Sequence, residues 1–400
     1  MDHSAPSAHL RAKLPLLLMA AIAALPPLAV DMYLPAIPQI AADLGTNINT
    51  VQNSLSVFLL GFGLGMLVFG PLADRHGRRP LALFGLCGFA LTSLLLTLSS
   101  DGTIFLLVRL LQGILGSAAT IVIPAMIRDC YGKDTAKGMS AVTMIMLIAP
   151  LLAPLLGSLV LLFARWEGIF AVLTLYPVIL LGVAWKLLPE TKAPDQPGST
   201  TSLLGAYRTI LGNSQIYPDL LCYMLSSVAF FTYLTSVSFV YITWFGVSET
   251  AFGILFAFSA GALILANFIN VRIVSRYGPR RLMHAGLALG AVFAFFLLLL
   301  THFALGLWPT VACFVCIVGC LGISAVNADA LVLIEFPRQA SSAAAVTGTL
   351  RFGFGALAGP ILAWTYDGTP SPVVRLLFIA LTGACLAQIL RHFLNKPKQA

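Results

Sequence analysis

Charge is what this 400-residue chain has least of: 10% of its residues are Asp, Glu, Lys or Arg, against roughly 25% in soluble domains. That shortage excludes a chain with water on every side, and with it the ordinary soluble enzyme or binding domain. Histidine is sparse too. None of the six lies in the middle of an apolar run, which argues against a histidine proton relay. The seven cysteines sit mostly in apolar runs and give no disulfide framework. Cys313, Cys316 and Cys320 have a spacing that invites a metal, but no histidine is near and cysteine in an apolar stretch packs as a small hydrophobe. No metal site is expected. A Walker loop is missing, so ATP is not expected to act directly. With no catalytic constellation in view, neither enzyme activity nor a bound cofactor is expected.

What the chain has is hydrophobicity, at 59% of residues with a mean hydropathy of +0.94. Apolar runs of about 20 residues recur, each long enough to cross a hydrocarbon core of roughly 30 Å. They lie near 14–37, 51–73, 80–98, 103–127, 139–162, 166–188, 219–244, 250–271, 282–302, 306–333, 340–364 and 372–394. The runs are continuous rather than alternating, which predicts helices and not a barrel. The first is too long for a signal h-region and ends in Asp31-Met32-Tyr33, so it is expected to be a retained span.

The positive charges follow this count. With the N-terminus placed inside, nineteen of the 23 Lys and Arg residues fall on cytoplasmic segments, two outside (Arg165, Arg375) and two within spans (Arg109, Arg351). One miscounted span mid-chain would destroy that asymmetry. The net charge of +8 is therefore a matter of topology, and no nucleic-acid partner is expected. Both termini are expected in the cytoplasm.

The longest polar stretch divides six spans from six. It predicts an N-terminal bundle over 1–188, a cytoplasmic linker over 189–218 and a C-terminal bundle over 219–400. A weak repeat agrees. Ala73-Asp74-Arg75-His76-Gly77-Arg78-Arg79 follows the second span, and Val274-Ser275-Arg276-Tyr277-Gly278-Pro279-Arg280 follows the eighth. The same basic turn at the same place in each half suggests duplication.

Four segments carry chemistry. The loop from Gly70 to Pro80 sets an acid, Asp74, among Arg75, Arg78 and Arg79, with Gly77 at the bend. A positive-inside loop explains the arginines but not the acid or the glycine spacing. In the fourth span, Arg109-Leu110-Leu111-Gln112-Gly113 puts a cation in the membrane at a cost of at least ~2.5 kcal/mol, so it needs a cavity or a partner. Asp31 offers one. It lies six residues before the expected end of its span, and Arg109 six residues after the expected start of its own; at 1.5 Å per residue both sit about 9 Å below one surface. An acid that holds its proton less tightly beside a cation, and more tightly when desolvated, can load and release protons as the conformation changes. A static ion pair is the alternative. The fifth span carries Ala149-Pro150-Leu151-Leu152-Ala153-Pro154-Leu155-Leu156-Gly157-Ser158, whose small residues permit close helix approach and whose prolines bend the helix.

The Gly70–Pro80 loop resembles the G-x-L-A-D-R-x-G-R-R/K-P signature of the major facilitator superfamily, and Arg109–Gly113 resembles that family's R-x-x-Q-G motif. The resemblance implies an all-α integral membrane protein of twelve helices in two six-helix bundles. It implies that the loop helps lock the outward-open state, with Asp74 facing the start of the eleventh helix near Ser341 and Arg75 or Arg78 paired with Asp129. The fifth span is similar to the antiporter motif G-x-x-x-G-P-x-x-G-G, departing at Ala149, Ala153 and Ser158 while keeping Pro150, Pro154 and Gly157. Asp31-Met32-Tyr33-Leu34-Pro35-Ala36, Arg128-Asp129, Glu335-Phe336-Pro337 and Gly348–Ala356 look like the bicyclomycin- and chloramphenicol-resistance branch of the drug/proton antiporters.

Further charges in the membrane are Asp329 and Arg351, on consecutive antiparallel spans and expected within reach of each other. The seventh span is rich in rings and hydroxyls: Phe230, Phe231, Tyr233, Thr235, Ser236, Ser238, Phe239, Tyr241 and Trp244. Such a face suits a cavity for planar amphipathic molecules, although Tyr241 and Trp244 read better as an interfacial aromatic belt. Tyr33, Gln52, Asn53, Gln112, Phe231, Tyr233, Phe239, Asn327 and Arg351 are the cavity candidates.

The expectation is a monomeric, multi-pass transporter of a bacterial inner membrane, driven by the proton gradient and needing no cofactor. It would export amphipathic compounds such as amphenicols, bicyclomycin or sulfonamides in exchange for protons, with Asp31 and Arg109 as the coupling site. The alternative keeps the fold and imports a small metabolite, such as a nucleoside, with protons.

Overall fold

The computed structural model describes residues 15–131, 135–191, 212, 216–303, 306–335 and 340–394. Every element among them is helical, and twelve helices are long and apolar enough to span a membrane. They are α1 (Pro15–Asp43), α2 (Ile48–Gly70), α3 (Arg78–Thr97), α4 (Gly102–Tyr131), α5 (Met144–Leu161), α6 (Trp166–Leu187), α7 (Tyr217–Trp244), α8 (Glu249–Tyr277), α9 (Pro279–Thr301), α10 (Leu307–Val332), α11 (Val346–Thr365) and α12 (Ser371–Ile389). Several boundaries differ from expectation by a few residues, two of them next to the site or the linker. The first span runs on to Asp43 rather than 37. The seventh begins at Tyr217, two residues inside the expected linker, because Pro218 sits in the first turn, where its missing N–H costs nothing. Most of the rest of that linker lies outside the described residues.

Prolines decide where the spans break. Proline has no N–H to give the carbonyl four residues back. Pro35 thus withdraws the donor for Asp31, and the first stretch of α1 stops there; a 3-10 turn, Leu34–Ala36, leads into Ile37–Asp43. Pro124 does the same to Thr120, where the long part of α4 ends. Pro360 withdraws the donor for Ala356, next to the end of the helix at Gly355. Pro150 and Pro154 remain inside one helix, Thr135–Leu161.

The duplication is visible in backbone geometry. Asn47 caps α2 by accepting from the Thr50 N–H at 2.8 Å, and Ser248 caps α8 by accepting from the Ala251 N–H at 3.2 Å. At the other ends, Gly77 (φ +99°) and Gly278 (φ +79°) take the same left-handed turn into α3 and α9, a conformation that costs a residue with a Cβ. The α4 cap is Asp101, whose carboxylate accepts from the N–H groups of Thr103 and Ile104. The Ile104 and Thr103 N–H groups hold its carboxyl below the usual range. In the first half α2 packs on α4, α3 on α4 and α6; in the second α8 packs on α10, α9 on α10 and α12. The halves meet through α2 with α11 and α5 with α8, pairs that the same pseudo-twofold relates.

Small residues make the closest packing possible. A Cβ built on Gly113 would overlap the Phe58 carbonyl oxygen of α2, so the glycine of the arginine motif is needed to seat α4. Gly182 has nothing within 4 Å of such a Cβ. Gly113→Val is expected to cost about 1–3 kcal/mol or more by overpacking. It should cut the yield of monodisperse protein in fluorescence-detected size-exclusion chromatography, whereas Gly182→Ala should leave it unchanged.

Candidate functional site

The break in α1 places Asp31 at a helix end in the middle of the protein, 3% exposed. Its Oδ1 is buried with no hydrogen-bond partner. Arg109 is fully buried in the same layer, donating through Nη1 to the Ala29 carbonyl at 3.2 Å and to Gln112 Oε1 at 2.7 Å. Gln112 in turn donates to Ser93 Oγ at 2.8 Å. The guanidinium lies 4.5 Å from the Tyr33 ring centroid, 4.8 Å from Phe58 and 6.0 Å from Phe170. Rings, a carbonyl and an amide therefore hold the cation. The shared layer is present, but no ion pair between Asp31 and Arg109 is found among the described residues, and Arg109 Nε and Nη2 are left without partners. Arg109 thus touches the backbone of Ala29, two residues before Asp31, and not the carboxylate itself.

Across from Asp31 the second half presents rings and hydroxyls. Tyr233 is close enough for the Asp31 carboxylate to act on its phenol, and it lies beside Ser259 of α8. Tyr233 Oη, Ser259 Oγ and Tyr241 Oη are all buried without hydrogen-bond partners. Phe252, Phe256 and Phe314 box them in, with Tyr233–Phe314 centroids 5.2 Å apart and Tyr241–Phe252 centroids 6.3 Å apart. Tyr241 therefore corrects the aromatic-belt reading. It is completely buried, while Trp244, three residues on, is 49% exposed. The end of α7 winds as a π-helix over Phe239–Trp244, a kind of segment that recurs at functional sites, and Tyr241 lies one turn beyond the buried Val237 and two beyond Tyr233.

The other cavity candidates divide. Tyr33 hydrogen-bonds Ser54 Oγ at 3.0 Å. Gln52 Nε2 and Asn53 Oδ1 are buried and unpartnered, and close by the Gly359 N–H donates to Ser56 Oγ at 3.0 Å. Phe231 packs on Phe352, as does Phe62 from the first half. Phe239 stacks edgewise on Tyr366. Asn327 is tied to Asn270 at 2.6 Å and to its own helix. The charge of Arg351 reaches Asp329 and Tyr223, but no Asp329–Arg351 ion pair is found among the described residues.

On the side where α1 leads to α2, α5 seals the halves together. A Cβ on Gly157 would overlap the Met32 carbonyl, the first residue past the break, so this glycine lets α5 lie on the unwound backbone beside Asp31. Ala153 is fully buried. Ser158 Oγ donates to the Glu249 carbonyl at 2.7 Å, and Gly253 packs under Pro154 and Ser158. Pro150 lies two turns further along α5, half-buried.

On the opposite face, of the two arginines proposed for Asp129, Arg78 takes it. Arg78 Nη1 also donates to the Ala125 carbonyl at 2.9 Å. The sequence reading missed Glu190. Its carboxylate accepts the N–H groups of Arg78 and Arg79 at 3.1 Å each, closing the helix that Gly77 starts. An acid just past the end of the sixth span, beside Pro189, was the signal. Also missed was Asp219, 5% exposed, which pairs with Arg280 and Arg391 and accepts from Gln388. Arg75 is exposed, and Gly70 is half-buried at the end of α2. The expected contact of Asp74 with Ser341 falls on side chains outside the described residues.

Comparison with known proteins bears on this geometry. The family described as Major Facilitator Superfamily matches residues 19–360. The chain is 30% identical over 374 residues to a bicyclomycin resistance protein homolog of Haemophilus influenzae, covering 93% of each. It is 34% identical over 262 residues to a chloramphenicol resistance protein of Pseudomonas aeruginosa, covering 65% of this chain and 62% of that one. Among solved structures it is similar to the nucleoside transporter NupG, with a TM-score of 0.74 at 15% identity over 96% of this chain and 100% of that one. It is also similar to a D-xylose-proton symporter, with a TM-score of 0.68 at 16% identity over 97% and 96%. At such identities the structures speak for the fold alone.

A buried hydroxyl without a partner costs about 1–3 kcal/mol. Tyr241→Phe is accordingly expected to raise the thermal unfolding midpoint of the detergent-solubilised protein. Asp129→Ala, which strands the buried Arg78, is expected to lower it. A scan of intrinsic fluorescence against temperature checks both signs.

Proposed function

The chain belongs to the major facilitator superfamily and is a multi-pass membrane transporter rather than an enzyme, and from that premise we propose that it exports small amphipathic molecules in exchange for protons. The observation that carries this reading is Asp31, a buried carboxylate with an unpartnered oxygen at the junction of the halves, in the same layer as the buried Arg109. Resistance proteins as relatives at 30% and 34% identity support export of drug-like compounds. In the proposed orientation, the basic loops at 75–79 and 276–281 face the cytoplasm of a bacterium and the chain spans its inner membrane.

In the proposed cycle the contact of α5 with α8 beside the α1–α2 turn closes the outer side, and the cavity fills from the cytoplasm. Substrate enters beside Asp31 and lays its planar part against Phe256 and Phe314. Its polar edge satisfies Tyr233, Tyr241 and Ser259. A proton on Asp31 and a substrate compete for this one cavity, so substrate entry releases the proton inward. The halves then rock, substrate leaves outward, and Asp31 reloads from the acidic side; Arg109 engages the carboxylate while it is charged. Because the proton leaves inward as the drug leaves outward, the gradient drives export.

Inverted vesicles with an acidic lumen test the proposal. Amphenicols, bicyclomycin, sulfonamides and organic cations are added while a dye reports lumenal pH. Alkalinisation by at least one compound is expected, and Asp31→Asn should abolish it without affecting membrane insertion. Proton-driven export that survives in the Asp31→Asn protein would sink the assignment of Asp31. Lumenal acidification on substrate addition would reverse the direction to import.

A further inference from the structure

We propose that the groove between α3 and α6 holds a phospholipid with a primary ammonium in its headgroup, as in phosphatidylethanolamine. The groove has a volume of about 390 Å³ and is lined by Leu94, Thr97, Glu167, Ala171, Leu175 and Val178 among others. Glu167 lies at its upper end, in the first turn of α6. One carboxylate oxygen, Oε2, is buried there without a donor.

The protein's own nearby donors are committed elsewhere. Arg165 pairs with Asp43 of α1, and the Trp166 indole N–H donates to the same carboxylate at 2.8 Å. Thr97 and Thr174, whose hydroxyls border the groove, donate back to the Leu94 and Phe170 carbonyls at 2.6 and 2.8 Å. A buried carboxylate oxygen with no donor demands one, and a cation best of all.

The shape of the slot identifies the carrier of that cation. From Glu167 to Val178 is eleven residues, about 16 Å along a helix, or roughly half of a 30 Å hydrocarbon core. The carboxylate thus stands at headgroup level, with an apolar channel one leaflet deep beneath it, the depth of an acyl chain. A soluble cation would leave that channel unused. A choline headgroup has no N–H to give Oε2, and a glycerol headgroup has no cation. The opposite face of α6 carries Trp166 and Phe170, and Phe170 lies against Arg109; the lipid therefore backs the helix that walls the buried arginine. The proposal does not depend on what the protein transports.

Native mass spectrometry of the full chain, equilibrated with equimolar dioleoyl phosphatidylethanolamine, phosphatidylcholine and phosphatidylglycerol, reads the preference directly. The wild-type protein should retain the ethanolamine lipid over the choline lipid by about tenfold, the worth of one charge-assisted hydrogen bond. Glu167→Leu should bring that ratio near one while the protein stays monodisperse, and Glu167→Gln should fall between. A diazirine-tailed phosphatidylethanolamine should label residues 94–98 and 167–178, and Ala171→Trp, which fills the channel, should remove that label. Equal retention of the two lipids by the wild type, a preference that survives in Glu167→Leu, or labelling confined to other helices would overturn the proposal.

Discussion

The missing N–H of Pro35 is the constraint around which the site is arranged. In hydrocarbon a backbone carbonyl has no water to turn to, so a helix interrupted there must be buried against protein. The interruption falls at Asp31, and the residues that cover it are specific. Gly157 admits the Met32 carbonyl, Arg109 reaches the Ala29 carbonyl, and the 3-10 turn at Leu34–Ala36 packs on α5 and α8. A carboxylate is thereby held where the two halves meet without having been given a partner. The sequence feature that places the acid and the one that breaks the helix lie within five residues of each other.

A duplicated scaffold does not impose duplicated chemistry. Caps, left-handed glycines and helix pairings recur in both halves. At the level of Asp31, however, the first half supplies a carboxylate and a guanidinium, while the second supplies phenols, a serine hydroxyl and phenylalanine rings. Charge on one wall and adaptable hydroxyls on the other make a cavity in which a proton can be held on one side and a molecule recognised on the other. The irregular end of α7 packs against Ile37–Asp43, the part of α1 that follows its break.

Much of this was legible in the sequence because the bilayer leaves so few options. Span count, loop charge and the repeat followed from the cost of burying charge and backbone. That an acid in span one and an arginine in span four share a layer was legible, since rise per residue fixes depth. What was not legible depends on rotation about a helix axis. Depth alone puts Tyr241 at the membrane surface, whereas its position one turn beyond the buried Val237 puts it inside. Glu190 and Asp219 were missed because a carboxylate near a helix end looks alike whether it faces water or caps a neighbour. The engagement of Arg109 with rings and amides rather than with Asp31 was invisible for the same reason: depth places two groups in one layer, and side-chain direction decides whether they touch.

The division of labour between strong and weak contacts argues for motion of the halves as rigid bodies. The ion pairs described here lie within one half: Arg78 with Asp129 joins α3 to α4, and Asp219 with Arg280 and Arg391 joins α7, α9 and α12. Glu190 adds the end of α6 to the first cluster. Partly buried charge pairs of this kind are costly to break one-sidedly, so each bundle resists internal deformation. Across the junction the contacts are of another kind: a serine on a carbonyl, Phe62 on Phe352, Ser56 on the Gly359 N–H, and glycines against small side chains. Each is worth about a kilocalorie per mole or less net and can be exchanged for water or another packing partner. An equilibrium poised on such contacts can be shifted by one proton on Asp31 or one bound molecule, because neither has to overcome an ion pair to move it.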